Sequence, residues 1–255
     1  MTRTHFDLTG HRALVTGSSL GIGRALAEGL AEYGASVVLN ARNETRLHEA
    51  ADILRGRGFD VAEAAFDVTD AAAVETAIAR IEDAEGPIDI LINNAGMQFR
   101  APLEEFPTDK WDLLLATNVT SAFLVGKAVA SRMITRGAGK IINIASVQSE
   151  LARPGIAPYT ATKGAIRNLT RGMATDWARH GLQCNAIAPG YFKTPLNQAL
   201  VDDPNFTAWL EQRTPAGRWG DVDELVAAAV FLAGPGSSFV NGHTLYVDGG
   251  MTASI

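Results

Sequence analysis

Short aliphatic runs recur along the chain, each followed by a stretch in which apolar residues fall three or four positions apart. RALVTG (12–17), SVVLN (36–40), VAEAAFDV (61–68), IDILINN (88–94), KIINIAS (140–146), LQCNAIAP (182–189) and HTLYVDGG (243–250) are too short for helices, and five of the seven end in Gly, Asn or Pro. Runs of this kind predict strands buried on both faces. Between them, IGRALAEGLAEYG (22–34) and ETRLHEAADILRGRG (44–58) repeat apolar residues at helical spacing, and the first stops at Gly34. Two longer helices are expected at about 108–136 and 158–179. The alternation predicts an α/β fold: a Rossmann-type doubly wound sheet of seven mainly parallel strands, with helices on both faces and residues 1–255 in one domain. One stretch, 191–220, breaks the rhythm. It is rich in Pro, Asp and Asn and holds short helical pieces such as PNFTAWLEQR, so a lid over a site is expected there.

Composition narrows the partners. Of 255 residues, 47% are hydrophobic, enough for a large core. The net charge of −6 argues against nucleic acid or an anionic membrane as the main partner, yet leaves room for a local basic pocket. The one cysteine, Cys184, sits in an apolar run and reads as a core residue; no Cys/His metal cluster is visible. The N-terminal MTRTHFDLTGHR has no apolar signal core, and no apolar run reaches the roughly 18 residues of a membrane span. A soluble, cytoplasmic protein is expected.

The first strand–turn–helix unit carries VTGSSLGIGRALA. Gly17 allows a sharp turn, Gly21 lets backbone approach a pyrophosphate, and Gly23 lets the helix pack close to the sheet. The helix N-terminus offers free N–H groups and partial positive charge to phosphate. The second strand ends in Asn40, where a carboxylate would hold the ribose hydroxyl of NAD and repel a 2′-phosphate. Arg42 follows and can pair with that phosphate, so NADP(H) is expected over NAD(H).

Tyr159 and Lys163 stand four apart, on one face of a helix. A free tyrosine is too weak an acid–base at neutral pH; bringing its pKa to about 7 takes roughly 4 kcal/mol. One positive charge about 4 Å away, at an effective dielectric of about 20, supplies a similar figure. Lys163 is therefore expected to lower the Tyr159 pKa.

The glycine spacing Gly-x-x-x-Gly-x-Gly, NNAG (93–96), Asn118 in ATNVTSAF, Ser146 in INIAS, Tyr159 with Lys163, and APGYFKT (188–194) follow one another in order. Together they resemble the short-chain dehydrogenase/reductase family over essentially the whole chain. The resemblance implies a catalytic set of Asn118, Ser146, Tyr159 and Lys163. Ser146 would bind the substrate oxygen, Lys163 would also bind the nicotinamide ribose, and Asn118 would hold a water that relays protons. It also implies cofactor contacts from Ser19 and Ile22 in the glycine turn, from Asp67 and Val68 at the adenine, and from Asn94 and Gly96 at the ribose. Ile187, Pro189, Gly190 and Thr194 would meet the nicotinamide half. A dimer along the two long helices, paired into a homotetramer through the C-terminal segment, is implied as well.

The substrate is less legible. Arg100, in MQFRAP, and Arg153, in ELARPG, lie on the two loops expected around the pocket and suit a carboxylate. Within the family, the segments around Tyr159 and the C-terminal LYVDGGMTASI resemble members acting on sugar acids. Reduction of 3-oxoacyl thioesters uses the same motifs and is the alternative; a non-catalytic NADP(H) sensor is a third reading.

Overall fold

Alternate residues of the central apolar runs bury into opposite cores. A computed structural model describes residues 5–255; Met1–Thr4, the first part of the segment read as lacking a signal core, lie outside the described residues. The strands are β1 (Arg12–Val15), β2 (Ser36–Ala41), β3 (Val61–Ala65), β4 (Ile90–Asn93), β5 (Gly139–Ile144), β6 (Leu182–Pro189) and β7 (Thr244–Val247). They form one sheet in the order β3-β2-β1-β4-β5-β6-β7, with every neighbouring pair parallel. Ala13, Val15, Ile90, Ile92, Ile142 and Ile187 point into one core, and Leu14, Leu91, Ile141 and Cys184 into the other.

Helices α1 (Gly21–Glu32), α2 (Glu44–Gly56), α3 (Ala71–Glu85), α4 (Thr108–Leu115), α5 (Ser121–Arg136), α6 (Ala157–Trp177), α7 (Gln198–Val201), α8 (Pro204–Arg213) and α9 (Val226–Ala233) complete the chain. Residues of α1, α2 and α9 fill the first core; residues of α3, α5 and α6 fill the second. Local chemistry sets the ends. Asn43 and Asp70 accept backbone N–H groups at the starts of α2 and α3, and Gly137 ends α5 in the left-handed region. The 29 residues Thr108–Arg136 are long and apolar enough to cross a membrane by length and composition, but half of their most apolar stretch is buried inside the fold. Cys184 is fully buried, as expected, and burial pushes its thiol up to about 12.

Several expected strands stop short. Thr16–Gly17, Phe66–Val68 and Asp248–Gly250 leave the ladder at its C-terminal edge and become turns. The sheet order reverses between β1 and β4, and a crevice opens there beyond the strand ends. The 191–220 excursion holds α7 and α8, and its base is clipped: Phe192 bridges Gly220, the Gly220 N–H donates to Tyr191 O (2.9 Å), and the Lys193 N–H donates to Gly220 O (3.0 Å).

Candidate active site

The crevice is a cavity of about 400 Å³ that runs from the glycine turn past Ser146 and Tyr159 to the excursion. Its first wall is main chain. Gly17 has φ +62°, and a Cβ there would come within 2.9 Å of Ala95 Cα. A Cβ on Gly23 would strike the Asn94 amide and the Gly17 carbonyl oxygen, so α1 rests directly on the β4 turn. Gly21, at φ +58°, faces open space, the nearest atom to its missing Cβ being Pro195 Cδ at 3.7 Å. No side chain caps the start of α1, which leaves its first N–H groups toward the cleft.

Three polar side chains stitch these turns together. Thr16 Oγ1 accepts the N–H groups of Asn94 (3.0 Å) and Ala95 (3.1 Å). Asn94 Nδ2 donates back to Thr16 O (2.9 Å) and Gly17 O (3.0 Å). Buried Asn40 accepts the Gly17 N–H and donates to Ala64 O and Phe66 O, joining the ends of β1, β2 and β3. Arg42 remains exposed, tethered to Asp67 Oδ2 at 3.5 Å. Burial alone would raise the Asp67 carboxyl, but two hydrogen bonds from Thr69 and the Arg42 charge outweigh it and hold Asp67 below its usual range. This Cβ-free cradle at a helix N-terminus, with no carboxylate at Asn40, fits a phosphorylated dinucleotide.

Ser146 follows β5 and opens a short 3₁₀ turn, where its Oγ accepts the Gln148 N–H (3.2 Å). It lines the cleft together with Tyr159 and Lys163. Pro158 in the first turn of α6 pre-sets the helix that presents Tyr159 and Lys163.

The expected lowering of Tyr159 by Lys163 is not what the structure holds. Burial pushes the Tyr159 phenol up to about 12, against smaller lowering from Ser146 and Arg100. Burial also pushes Lys163 down to about 8. Its Nζ donates to Ile144 O (2.7 Å) and lies 5.6 Å from the centre of the Tyr159 ring. The Coulomb argument left out desolvation, which acts against the charged form of both groups and prevails.

Asn118 is fixed by contacts of its own. It sits in a π-helical turn, Ala116–Thr120, wedged between α4 and α5. Its Nδ2 donates to Met97 O (2.9 Å) and Thr162 Oγ1 (3.1 Å), and its Oδ1 accepts the Met97 N–H (2.8 Å). Both amide protons thus clasp the segment after the NNAG turn to α6.

At the far end the wall is made of side chains. Arg153 Nε donates to the Tyr191 hydroxyl (3.0 Å), and its guanidinium lies 5.3 Å from the centre of the Phe206 ring on α8. Tyr191, Phe206, Trp209 and Trp219 pack ring on ring. Arg100 bonds Gln98 Oε1 (3.2 Å) and keeps a solvent-exposed face. Desolvation, followed by the like charge of Arg153, pushes its pKa below the usual guanidinium range. Among the described residues no carboxylate forms an ion pair with either arginine. A second cavity behind the cleft is lined by both, and only Arg153 also reaches the main one.

The cleft wall therefore brings together Gly17, Gly21, Ile22, Gly23, Arg42, Asp67, Val68, Asn94, Gly96, Ser146, Arg153, Tyr159, Lys163, Pro189, Gly190 and Thr194. Ser19, Asn118 and Arg100 stand off it, and Ile187 is buried in the core. Thr16, Gln148 and Tyr191 are residues that the sequence reading passed over. Tyr191 had a signal, following Pro-Gly inside APGYFKT; Thr16 and Gln148 had none beyond their nearness to a motif.

Residues 17–252 match the family described as enoyl-(acyl carrier protein) reductase. The chain is 64% identical over 250 residues to gluconate 5-dehydrogenase of Gluconobacter oxydans (strain 621H), covering 98% of each chain. It is 51% identical over 250 residues, again 98% of each, to 5-keto-D-gluconate 5-reductase of Escherichia coli (strain K12). The crystal structure of a gluconate 5-dehydrogenase from Burkholderia cenocepacia J2315, in complex with NADP and tartrate, superposes with a TM-score of 0.97 at 58% identity over 98% of both chains.

Proposed function

Because the chain belongs to the short-chain dehydrogenase/reductase family, we propose that it interconverts D-gluconate and 5-dehydro-D-gluconate with NADP(H). The observation that carries the reading is one cavity wall that joins a Cβ-free phosphate cradle, the Ser146, Tyr159 and Lys163 side chains, and an Arg153 without a carboxylate partner among the described residues.

NADPH, when bound, supplies the hydride. The glycine turn and the start of α1 hold its pyrophosphate, and Arg42 takes the 2′-phosphate. Asp67, Val68, Asn94 and Gly96 line its adenosine half, and Pro189, Gly190 and Thr194 its nicotinamide half. Lys163, with a pKa of about 8, is largely an ammonium at neutral pH and binds the ribose hydroxyls. The Ser146 Oγ is already an acceptor for the Gln148 N–H, so its own proton is free to bond the substrate carbonyl oxygen. Tyr159 keeps its proton through the neutral range and gives it to the alkoxide as negative charge develops there. Asn118 positions the NNAG turn and α6. Arg153 binds the substrate carboxylate, with Arg100 adding positive potential from behind. The 191–220 excursion acts as a lid. The enzyme is proposed to work in the cytoplasm as a homotetramer; Phe123 on α5 and Phe239 and Ile255 near the C-terminus are exposed apolar residues that suit such contacts.

The test is oxidation of NADPH followed with 5-dehydro-D-gluconate, with acetoacetyl thioester, and with NADH in place of NADPH. Turnover is expected for the sugar acid with NADPH, and Tyr159→Phe is expected to lower kcat about 10³-fold. Preference for the thioester would replace the reading with the acyl-reductase alternative. Tyr159→Phe turnover at the wild-type rate would remove Tyr159 as the proton donor.

A further inference from the structure

Gln148 lies two residues beyond Ser146 on the cleft wall and is more than nine-tenths buried. Its backbone N–H is spent on Ser146 Oγ (3.2 Å), and its Nε2 reaches the Tyr191 hydroxyl at 3.5 Å. Its Oε1 is buried and has no hydrogen-bond partner in the protein. An unpaired carboxamide oxygen in a buried setting is costly, and here it belongs to a residue bonded through its backbone to the serine assigned to the reacting oxygen. The Ser146 cap fixes the Gln148 backbone, and Tyr191, itself held by Arg153, fixes the far end of the side chain.

Resting on the sugar-acid reading, we propose that Gln148 reads a hydroxyl group of the substrate, on the carbon chain next to the carbonyl held by Ser146 and Tyr159. A polyhydroxy acid supplies the donor that Oε1 lacks. A hydroxyl both donates and accepts, so it satisfies the free end of the amide in either orientation of the carboxamide. An acyl chain supplies neither and leaves a buried acceptor unpaired. A site built to bond a hydroxyl rejects the analogue without it more strongly than an apolar slot rejects an extra hydroxyl. Gln148 would therefore set substrate class from inside the cleft, separately from the carboxylate contact of Arg153.

The experiment pairs two substrates with two variants. 5-Dehydro-D-gluconate carries the chain hydroxyls; 5-oxohexanoate has the same carbon chain, ketone and carboxylate without them. In Gln148→Met, kcat/KM for 5-dehydro-D-gluconate is expected to fall roughly 10- to 100-fold, while that for 5-oxohexanoate holds or rises. Gln148→Asn keeps the amide but withdraws it by one methylene, and should show the same selective loss to a smaller degree. It carries the test should Gln148→Met fail to fold. Equal losses on both substrates, or no loss on either, would overturn the role of Gln148. Wild-type protein that turns over neither keto acid but reduces acetoacetyl thioester would instead overturn the sugar-acid reading itself.

Discussion

At the glycine turn the cleft is walled by main chain, and the side chains that hold it (Thr16, Asn40, Asn94) bond backbone groups. At the Arg153 end it is walled by side chains that hold one another: Arg153 with Tyr191 and Phe206, and Gln148 with Tyr191. The first end is part of the fold, since the same bonds close the edge of the sheet. The second rests on the fold and can be altered without unfolding it. A dinucleotide that presents the same phosphates to every member of a family suits the first construction. A substrate that differs between members suits the second.

Three substitutions sharpen or break this contrast. The largest effect is expected from Gly23→Ala. Its methyl would meet the Asn94 amide and the Gly17 carbonyl, so stability should fall by about 1–3 kcal/mol and NADPH binding should weaken together with it. Loss of NADPH affinity at an unchanged melting temperature would show that the turn is separable from the fold. Arg153→Met comes next. KM for 5-dehydro-D-gluconate should rise roughly tenfold or more with the melting temperature nearly constant and NADPH affinity intact. A large fall in melting temperature there would erase the distinction between the two ends.

The smallest effect is expected at the opposite edge of the sheet, where Lys140 Nζ donates to Ser237 Oγ (3.2 Å) and burial pushes its pKa down to about 8. Below pH 8 the folded chain carries a partly desolvated ammonium. Between about 8 and 10.5 the folded form has released that proton while the unfolded chain still holds it, so stability rises with pH. Lys140→Met should therefore raise the melting temperature by roughly 1–2 °C at pH 7, with the gain vanishing toward pH 10.5, and leave both kinetic constants unchanged. A gain that persists at high pH would assign the effect to packing instead of charge.

What the sequence made legible follows the same division. Strand alternation, the glycine turn and the Tyr159–Lys163 spacing are local patterns, and local patterns fix backbone. The β6 bounds came through unchanged, as did those of the PNFTAWLEQR helix, because Gly181 and Pro204 punctuate them. Strand ends at the crevice did not, because Phe66–Val68 carries on the apolar run of the strand but is diverted into the cleft wall. The Tyr159 charge argument failed since spacing gives distance but not solvent access, and burial of both groups decided the sign. Asn118 looked like a misfit in a helix, yet nothing in ATNVTSAF reveals the π-turn that aims it at Met97. Gln148 left no trace in the sequence; a lone glutamine means nothing until its oxygen is seen buried without a partner.

The clip at Phe192 and Gly220 separates everything between those residues from the sheet that carries it. Because the two stems are fastened to each other, the entropy of closing the excursion is met at its neck, and changing the number of residues above it adds little further cost. The segment behaves as an interchangeable cartridge. Relatives could exchange its contents, and with them the aromatic packing behind Arg153, while β6, α9 and the dinucleotide cradle keep their registration.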